Sequence, residues 1–225
     1  MRGWLVAAVV IVLAIAGPAS TAMEPGSLFA LPVPAKSGGM SLTQALYERR
    51  SVRSYGSEPL TLQEIAQLLW AAQGISEPEQ GFRTVPSAGA TFPLEVDLLV
   101  TGIPELRDGI YRYRPQEHRL ELRVPGDRRG QLKEVALGQS AIGNAPVVMV
   151  ISAVIPRTAR RYGKRAERYV HMEAGHSAQN VYLQGRALGI GTVVIGAFRD
   201  DRVAGTLNLG RSEEAIYILP LGRLH

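Results

Sequence analysis

The chain has 225 residues, 46% of them hydrophobic and 20% charged, with a formal net charge of +5 and no cysteine. Its length suits one sizeable core, and the missing thiol excludes disulfides, thiolate metal centres, cysteine nucleophiles and a lipid anchor on an N-terminal cysteine. The positive charge rests on arginine, since only Lys36, Lys133 and Lys164 are lysines; a guanidinium fork suits phosphate or carboxylate, whereas 6% aromatic residues and no helix-turn-helix, zinc or stacking motif argue against nucleic acid.

The first segment, "MRGWLVAAVVIVLAIAGPASTAM", runs from one charge through an apolar stretch, Trp4 to Ala16, to small residues. As a helix that stretch would be about 20 Å long, against about 30 Å of bilayer hydrocarbon. The order is that of a secretory signal peptide over residues 1–22, cleaved after Ala22, with an uncleaved N-terminal anchor as the alternative. The product is then exported, to the periplasm or outside the cell, or stays anchored; the mature chain has no membrane span. Residues 23–40, with Pro25, Pro32, Pro34, Gly26, Gly38 and Gly39, read as a linker or extended arm. The folded domain is expected over 41–225.

Ser41 with Gln44, and Thr61 with Glu64, have capping-box spacing and start helices near 42 and 62. The second carries Leu62, Ile65, Leu68, Leu69 and Ala72 on one face, a core stripe. Residues 93–100 alternate as a strand, and "GIYRYRPQEHRLELRV" reads as a hairpin turning at 115–117. The apolar run 146–154 suits a central strand. A long helix over 164–188, a strand "GTVVIGAF", a short helix over 200–208 and a last strand "AIYILPLG" complete an α+β domain with a mostly antiparallel central sheet flanked by helices.

Three chemistries fail on spacing. His171, Glu173 and His176 diverge around a helix, by about 200° and 140° from the first at 100° per residue, so they cannot share an ion. "PSAGA" lacks the spacing of a serine elbow. "GIGTVVIG" precedes a strand instead of opening a helix, which is the wrong context for a dinucleotide fingerprint. Arg49, Arg50 and Arg53 cluster where a helical pattern ends; they either complement its dipole or await an anion. The run Arg157–Arg168 holds six basic residues, either a solvated face or a surface for an acidic substrate or nucleotide phosphate.

"ERRSVRSY", "PSAGATFPLE", "EAGHSAQNVYLQGRALGIGTVVIGAF" and "PLGR", in this order, resemble the nitroreductase family of flavin enzymes, and most closely its SagB-type dehydrogenase branch with the azoline oxidases. The resemblance spans 41–224. It implies a nitroreductase-like fold, an intertwined homodimer and two FMN molecules at the subunit interface. By that likeness Arg49, Ser51, Arg53 and Arg223 hold the phosphate and ribityl chain, with Arg50 a more variable neighbour. Pro86, Ser87, Ala88 and Gly89 reach the flavin ring from the partner subunit, and the backbone of Val194, Ile195 and Gly196 faces flavin N5. Gly175 and Ala178 suit the dimer seam, and Gln179 and Asn180 match a polar pair that helix packing explains equally well. The implied activity is an FMN-dependent oxidoreductase that passes a hydride or two electrons through N5 in a ping-pong cycle, with NAD(P)H a candidate donor, a small-molecule substrate and no catalytic side chain. A non-catalytic flavin-binding or scaffold protein is the alternative.

Overall fold

The structure is a computed structural model that describes residues 24–225; the signal or anchor segment lies outside the described residues. In chain order the elements are β1 (Leu28–Ala30), α1 (Leu42–Glu48), α2 (Leu62–Gln73), β2 (Ile75–Glu77), β3 (Phe82–Arg83), β4 (Leu94–Val100), β5 (Gly109–Arg114) and β6 (Arg119–Pro125), then α3 (Arg129–Val135), α4 (Ser140–Asn144), β7 (Val147–Ala153), α5 (Ile155–Tyr162), α6 (Ala166–Ala187), β8 (Ile190–Thr192), α7 (Asp200–Leu207) and β9 (Glu214–Arg223). Seven strands form one sheet in the order β1-β6-β5-β4-β7-β9-β8, each neighbouring pair antiparallel.

Alternation along the central strands builds two apolar layers. Val147, Met149 and Ile151 of β7 face α2 and α6, whereas Val148 and Val150 face α3, α4 and α7. This is the period-2 logic of a strand buried on both faces. The capping box at α2 is complete: Thr61 Oγ1 accepts from Glu64 N–H, and Glu64 accepts from Thr61 N–H. At α1 only half forms, because the Gln44 side chain turns forward to Glu48 at 2.9 Å.

Several elements differ from the sequence expectation. The arm adds β1 to the sheet edge and continues along α2, where the Gln67 amide accepts from Ala35 N–H and donates to Ala35 O. Helices α3 and α4 are too short to show a stripe. Helix α5 occupies the basic run, with Pro156 in its first turn, where a missing N–H does no harm. "GTVVIGAF" is not a continuous strand: β8 ends at Thr192 and only Ile195 rejoins the ladder, opposite Ile218.

A charged cluster lies on the α3–α4–α7 face. Arg112 grips Asp97 through Nε and Nη2 at 2.8 and 2.7 Å and also meets Glu213 at 2.7 Å and Glu95 at 3.2 Å. Burial pushes Asp97 up to about 6 despite the guanidinium beside it. Replacing Arg112 by Met leaves Asp97 and Glu213 without their cation, while Glu95 keeps its ion pair with Arg157. The expected loss is about 3 to 5 kcal/mol of unfolding free energy, measured by urea denaturation; a loss under about 1 kcal/mol would show that the cluster does not hold this layer.

Candidate functional site

The segment after α1 and the C-terminal end of the chain meet at the β8 edge of the sheet. Residues 51–56 cross the ends of β8 and β9 so closely that a Cβ on Gly191 would lie 2.7 Å from Val52 Cγ1, and one on Gly222 would lie 2.4 Å from Tyr55 Cγ. Glycine at both positions is what lets the segment lie there. Val52 N–H donates to Thr192 O at 2.8 Å, and Ser51 pairs with Thr192 in a parallel bridge.

Past Thr192 the ladder with β9 keeps its register but thins out. Ile195 and Ile218 exchange both backbone bonds at 2.9 Å, while Val193, two residues earlier, falls opposite Pro220, which has no N–H. In an antiparallel ladder the intervening residues turn their N–H groups outward, so those of Val194 and Gly196 project from the open edge. Tyr182 Oη, on α6, accepts the Val194 N–H at 3.0 Å and lies 3.0 Å from Ser51 Oγ. The Gly196 N–H has no partner among the described residues. A Cβ at 196 would meet only the Tyr217 ring, at 3.8 Å, an ordinary contact; nothing described in this chain demands glycine there.

The four arginines separate into different roles. Arg50 donates to Tyr47 O and Arg49 O, capping the end of α1. Arg49 stacks over the Tyr182 ring, 5.0 Å from its centroid, and forms no ion pair among the described residues. Arg53 is exposed, without a hydrogen-bond or ion-pair partner among them. A cavity of about 150 Å³ opens beside this group, lined by Arg49, Arg50, Val52, Tyr182, Arg186 and Thr192. The acid on its wall, Glu48, is taken: hydrogen bonds from Gln44 and Arg186 hold it below the usual carboxylate range. Arg223 is committed elsewhere. Its Nη atoms bond Glu64 at 2.8 and 2.9 Å, Leu188 O and Pro59 O, so its head group ties α2 to the end of α6 and does not line the cavity.

Pro86, Ser87, Ala88 and Gly89 form a tight turn whose backbone is left-handed at Gly89 (φ 60°), Ala90 (53°) and Phe92 (44°). Strain of this kind persists only where surroundings over-determine it. Here Arg161 donates to Gly89 O, Thr91 and Thr158 hydroxyls meet at 2.8 Å, and Ser87 Oγ accepts the Phe92 N–H at 2.9 Å. Below the turn lies Glu173, 3% exposed. Burial pushes its carboxyl up to about 7, against the opposing effects of a Ser87 hydrogen bond and the nearby Arg83 charge. From Glu173 to Tyr182 is about 13 Å of helix, so one protomer holds the 86–89 turn apart from the Tyr182 edge. On α6, Ala178 is packed into its own core, which removes it from an intersubunit seam, while Gly175 faces open space. Asn180 is a packing group, donating to Ala71 O and Thr84 O.

Sequence reasoning missed Tyr182 and Glu173 as site residues. Tyr182 carries no local signal, because Ser51 is 131 residues away. Glu173 had one: with Val170, Ser177 and Val181 it falls on the buried stripe of α6, where an acid is out of place.

Free guanidinium, hydroxyl and outward N–H groups at one edge fit an anionic cofactor with an acceptor atom to place against the backbone. Residues 46–223 match the sequence model of the nitroreductase family. The nitroreductase-like protein MJ1384 of Methanocaldococcus jannaschii is 45% identical over 185 residues, 82% of this chain and 91% of its own. A nitroreductase-like structure from Ralstonia eutropha JMP134 superposes with a TM-score of 0.78 at 32% identity, covering 90% of this chain and 94% of that one. The Escherichia coli microcin B17-processing protein McbC is 27% identical over 165 residues, and the chain spans 71% of itself and 61% of McbC. The McbBCD microcin synthetase complex with truncated pro-MccB17 matches in fold, with a TM-score of 0.69 at 23% identity over 88% of this chain and 78% of that one. The chain belongs to the nitroreductase family and is a flavin oxidoreductase.

Tyr182→Phe removes the acceptor of the Val194 N–H and the partner of Ser51. A loss of about 1 kcal/mol is expected in chemical denaturation, with faster amide exchange confined to residues 193–196; unchanged exchange there would show that Tyr182 does not hold the edge.

Proposed function

We propose that the chain is an FMN-dependent oxidoreductase of the SagB-type dehydrogenase branch, working as a homodimer in a ping-pong cycle. The observation that carries this reading is the open edge beside β8, where the unpartnered Gly196 N–H and the free Arg53 flank the Ser51–Tyr182–Val194 link. Arg49, Ser51 and Arg53 would hold the phosphate and ribityl chain, and Gly196 would offer its N–H to N5, where negative charge accumulates on reduction. FMN, when bound, accepts a hydride or two electrons at N5 and passes them to a second substrate. The protein's part is to bind, orient and exclude water, and no side chain is assigned as acid or base. Arg223 would join the phosphate only by releasing Glu64, so its contribution is smaller than that of Arg53.

Two observations support the dimer. The 86–89 turn is held apart from the Tyr182 edge within one protomer, so it contacts a flavin most readily in its partner. Helix α1 also turns Leu42, Leu46 and Tyr47 outward, at 65%, 53% and 78% exposure, an apolar face suited to burial in an interface. The McbC likeness supports the SagB-type branch, and McbC itself is found in a multi-protein complex. With residues 1–22 acting as an export signal or an anchor, an exported enzyme lies away from nicotinamide pools. We therefore favour dehydrogenation of an external small molecule over NAD(P)H oxidation.

The purified chain is expected to be yellow or to take up FMN, and Arg53→Ala to raise the FMN Kd about tenfold or more, one charge-assisted hydrogen bond being worth about 1.5 to 3 kcal/mol. A colourless protein that refuses FMN would end the enzyme reading. FMN that stays oxidised with NADH and NADPH under anaerobic conditions would favour the dehydrogenase over the nicotinamide-dependent form.

A further inference from the structure

A cavity of about 230 Å³ opens where β4 begins and β5 ends, and none of its lining residues borders the cavity beside β8. Five elements supply its polar wall. Gln73 ends α2, Arg83 ends β3, Glu95 stands near the start of β4, Tyr113 and Arg114 end β5, and Arg157 lies in the first turn of α5.

Three guanidinium groups and one carboxylate line this space, and all but one of the four are paired. Glu95 Oε1 meets Arg157 Nη2 at 2.5 Å, and its Oε2 meets Arg112 Nη1 at 3.2 Å. Arg157 also donates to Phe92 O at 3.1 Å, and Arg114 Nε donates to Glu121 at 2.7 Å. Tyr113 Oη is joined to His118 Nδ1 at 2.8 Å.

Arg83 is the exception. It is half-buried, its Nη1 donates to Gln73 Oε1 at 2.8 Å, and its guanidinium lies over the Phe92 ring, 4.4 Å from the centroid. It forms no ion pair among the described residues, and its Nε and Nη2 donate no hydrogen bond there. A cation drawn out of water without a counter-ion is costly. Gln73 adds a second unmet demand. It is 1% exposed, its Oε1 is taken by Arg83, and its Nε2 is buried without a partner.

We propose that this cavity binds a small carboxylic acid, whose carboxylate takes Nε and Nη2 of Arg83 side-on with the Gln73 amide beside it as a donor. The planar fork of a guanidinium matches a carboxylate through two parallel bonds. A singly charged head group suits the wall better than phosphate, because only Arg83 lacks a counter-charge and Glu95 repels a second negative charge. The volume sets the size of the acid, since drug-sized ligands need about 300 to 1,000 Å³. The site shares no residue with the flavin seat and does not rest on the flavin reading.

The test titrates propionate and, separately, inorganic phosphate onto the purified chain with whatever flavin it retains. Ionic strength is held constant with chloride, and binding is read by calorimetry and by the shift in Tm. Arg83→Met removes the free cation. Gln73→Glu sets a tethered carboxylate against Arg83, which keeps the question open should Arg83→Met fail to fold. Arg114→Met removes a cation that is already paired on the same wall. Propionate should bind the wild type saturably with a millimolar Kd and raise its Tm. Arg83→Met should weaken binding about tenfold or more, one charge-assisted hydrogen bond carrying that much. Gln73→Glu should abolish binding, and Arg114→Met should leave it unchanged. No saturable binding to the wild type at about 50 mM propionate, well above a millimolar Kd, would overturn the proposal. So would an unchanged Kd in Arg83→Met or Gln73→Glu, or an equal loss in Arg114→Met, which would reduce the effect to general attraction by a basic surface. Phosphate binding tighter than propionate would overturn the carboxylate assignment.

Discussion

One backbone contact organises this molecule: Val52 N–H on Thr192 O, with Ser51 alongside in a parallel bridge. It fastens the segment between α1 and α2 to the last-but-one strand, and the rest of the site is assembled by consequence. Arg49 is laid over the Tyr182 ring, Ser51 is set against the Tyr182 hydroxyl, and the same hydroxyl takes up the Val194 N–H. The contact exists because Gly191 and Gly222 leave room for Val52 and Tyr55. Those two glycines lie in two of the sequence motifs that carry the family resemblance. Their direct role is mechanical, and their effect on a cofactor is indirect, through where they let Arg49 and Arg53 stand.

The edge strand shows how a ladder is ended without a chain break. Pro220 lies within β9, where its missing N–H weakens one pairing with the chain opposite. The residues beyond Thr192 are held by a single bridge at Ile195 and by a side chain from α6. That leaves an outward-facing N–H at Gly196, on a scaffold whose neighbouring atoms are fixed by packing. A site that must stabilise developing charge without reorganising needs a donor of this kind.

The sequence carried the large elements clearly. Alternation marked β4, β5 and β6, the unbroken apolar run marked β7, and the Thr61 box marked α2. It was silent where the determinant lay across the fold. Arg223 looked like an anion ligand from its motif, yet Glu64, 159 residues away, holds it in a bidentate pair. The strand expected over 191–198 is short because of Pro220, a residue on its partner. Helix α5 was hidden because a helix burying little more than Thr158 shows no apolar stripe. Of the expected site residues, Arg49, Ser51 and Val194 converge on Tyr182. Arg50 caps a helix, Arg223 braces α2, and Pro86–Gly89 gather at the other end of α6.

The account stands on the β8 edge being a flavin seat, and a crystal structure of the chain grown with FMN tests that most directly. It should show the phosphate bonded by Arg53 and Ser51 and the isoalloxazine N5 within hydrogen-bond distance of the Gly196 N–H, with the 86–89 turn of the partner subunit against the ring. Electron density for FMN elsewhere, with Arg53 still free and the Gly196 edge open to solvent, would contradict it.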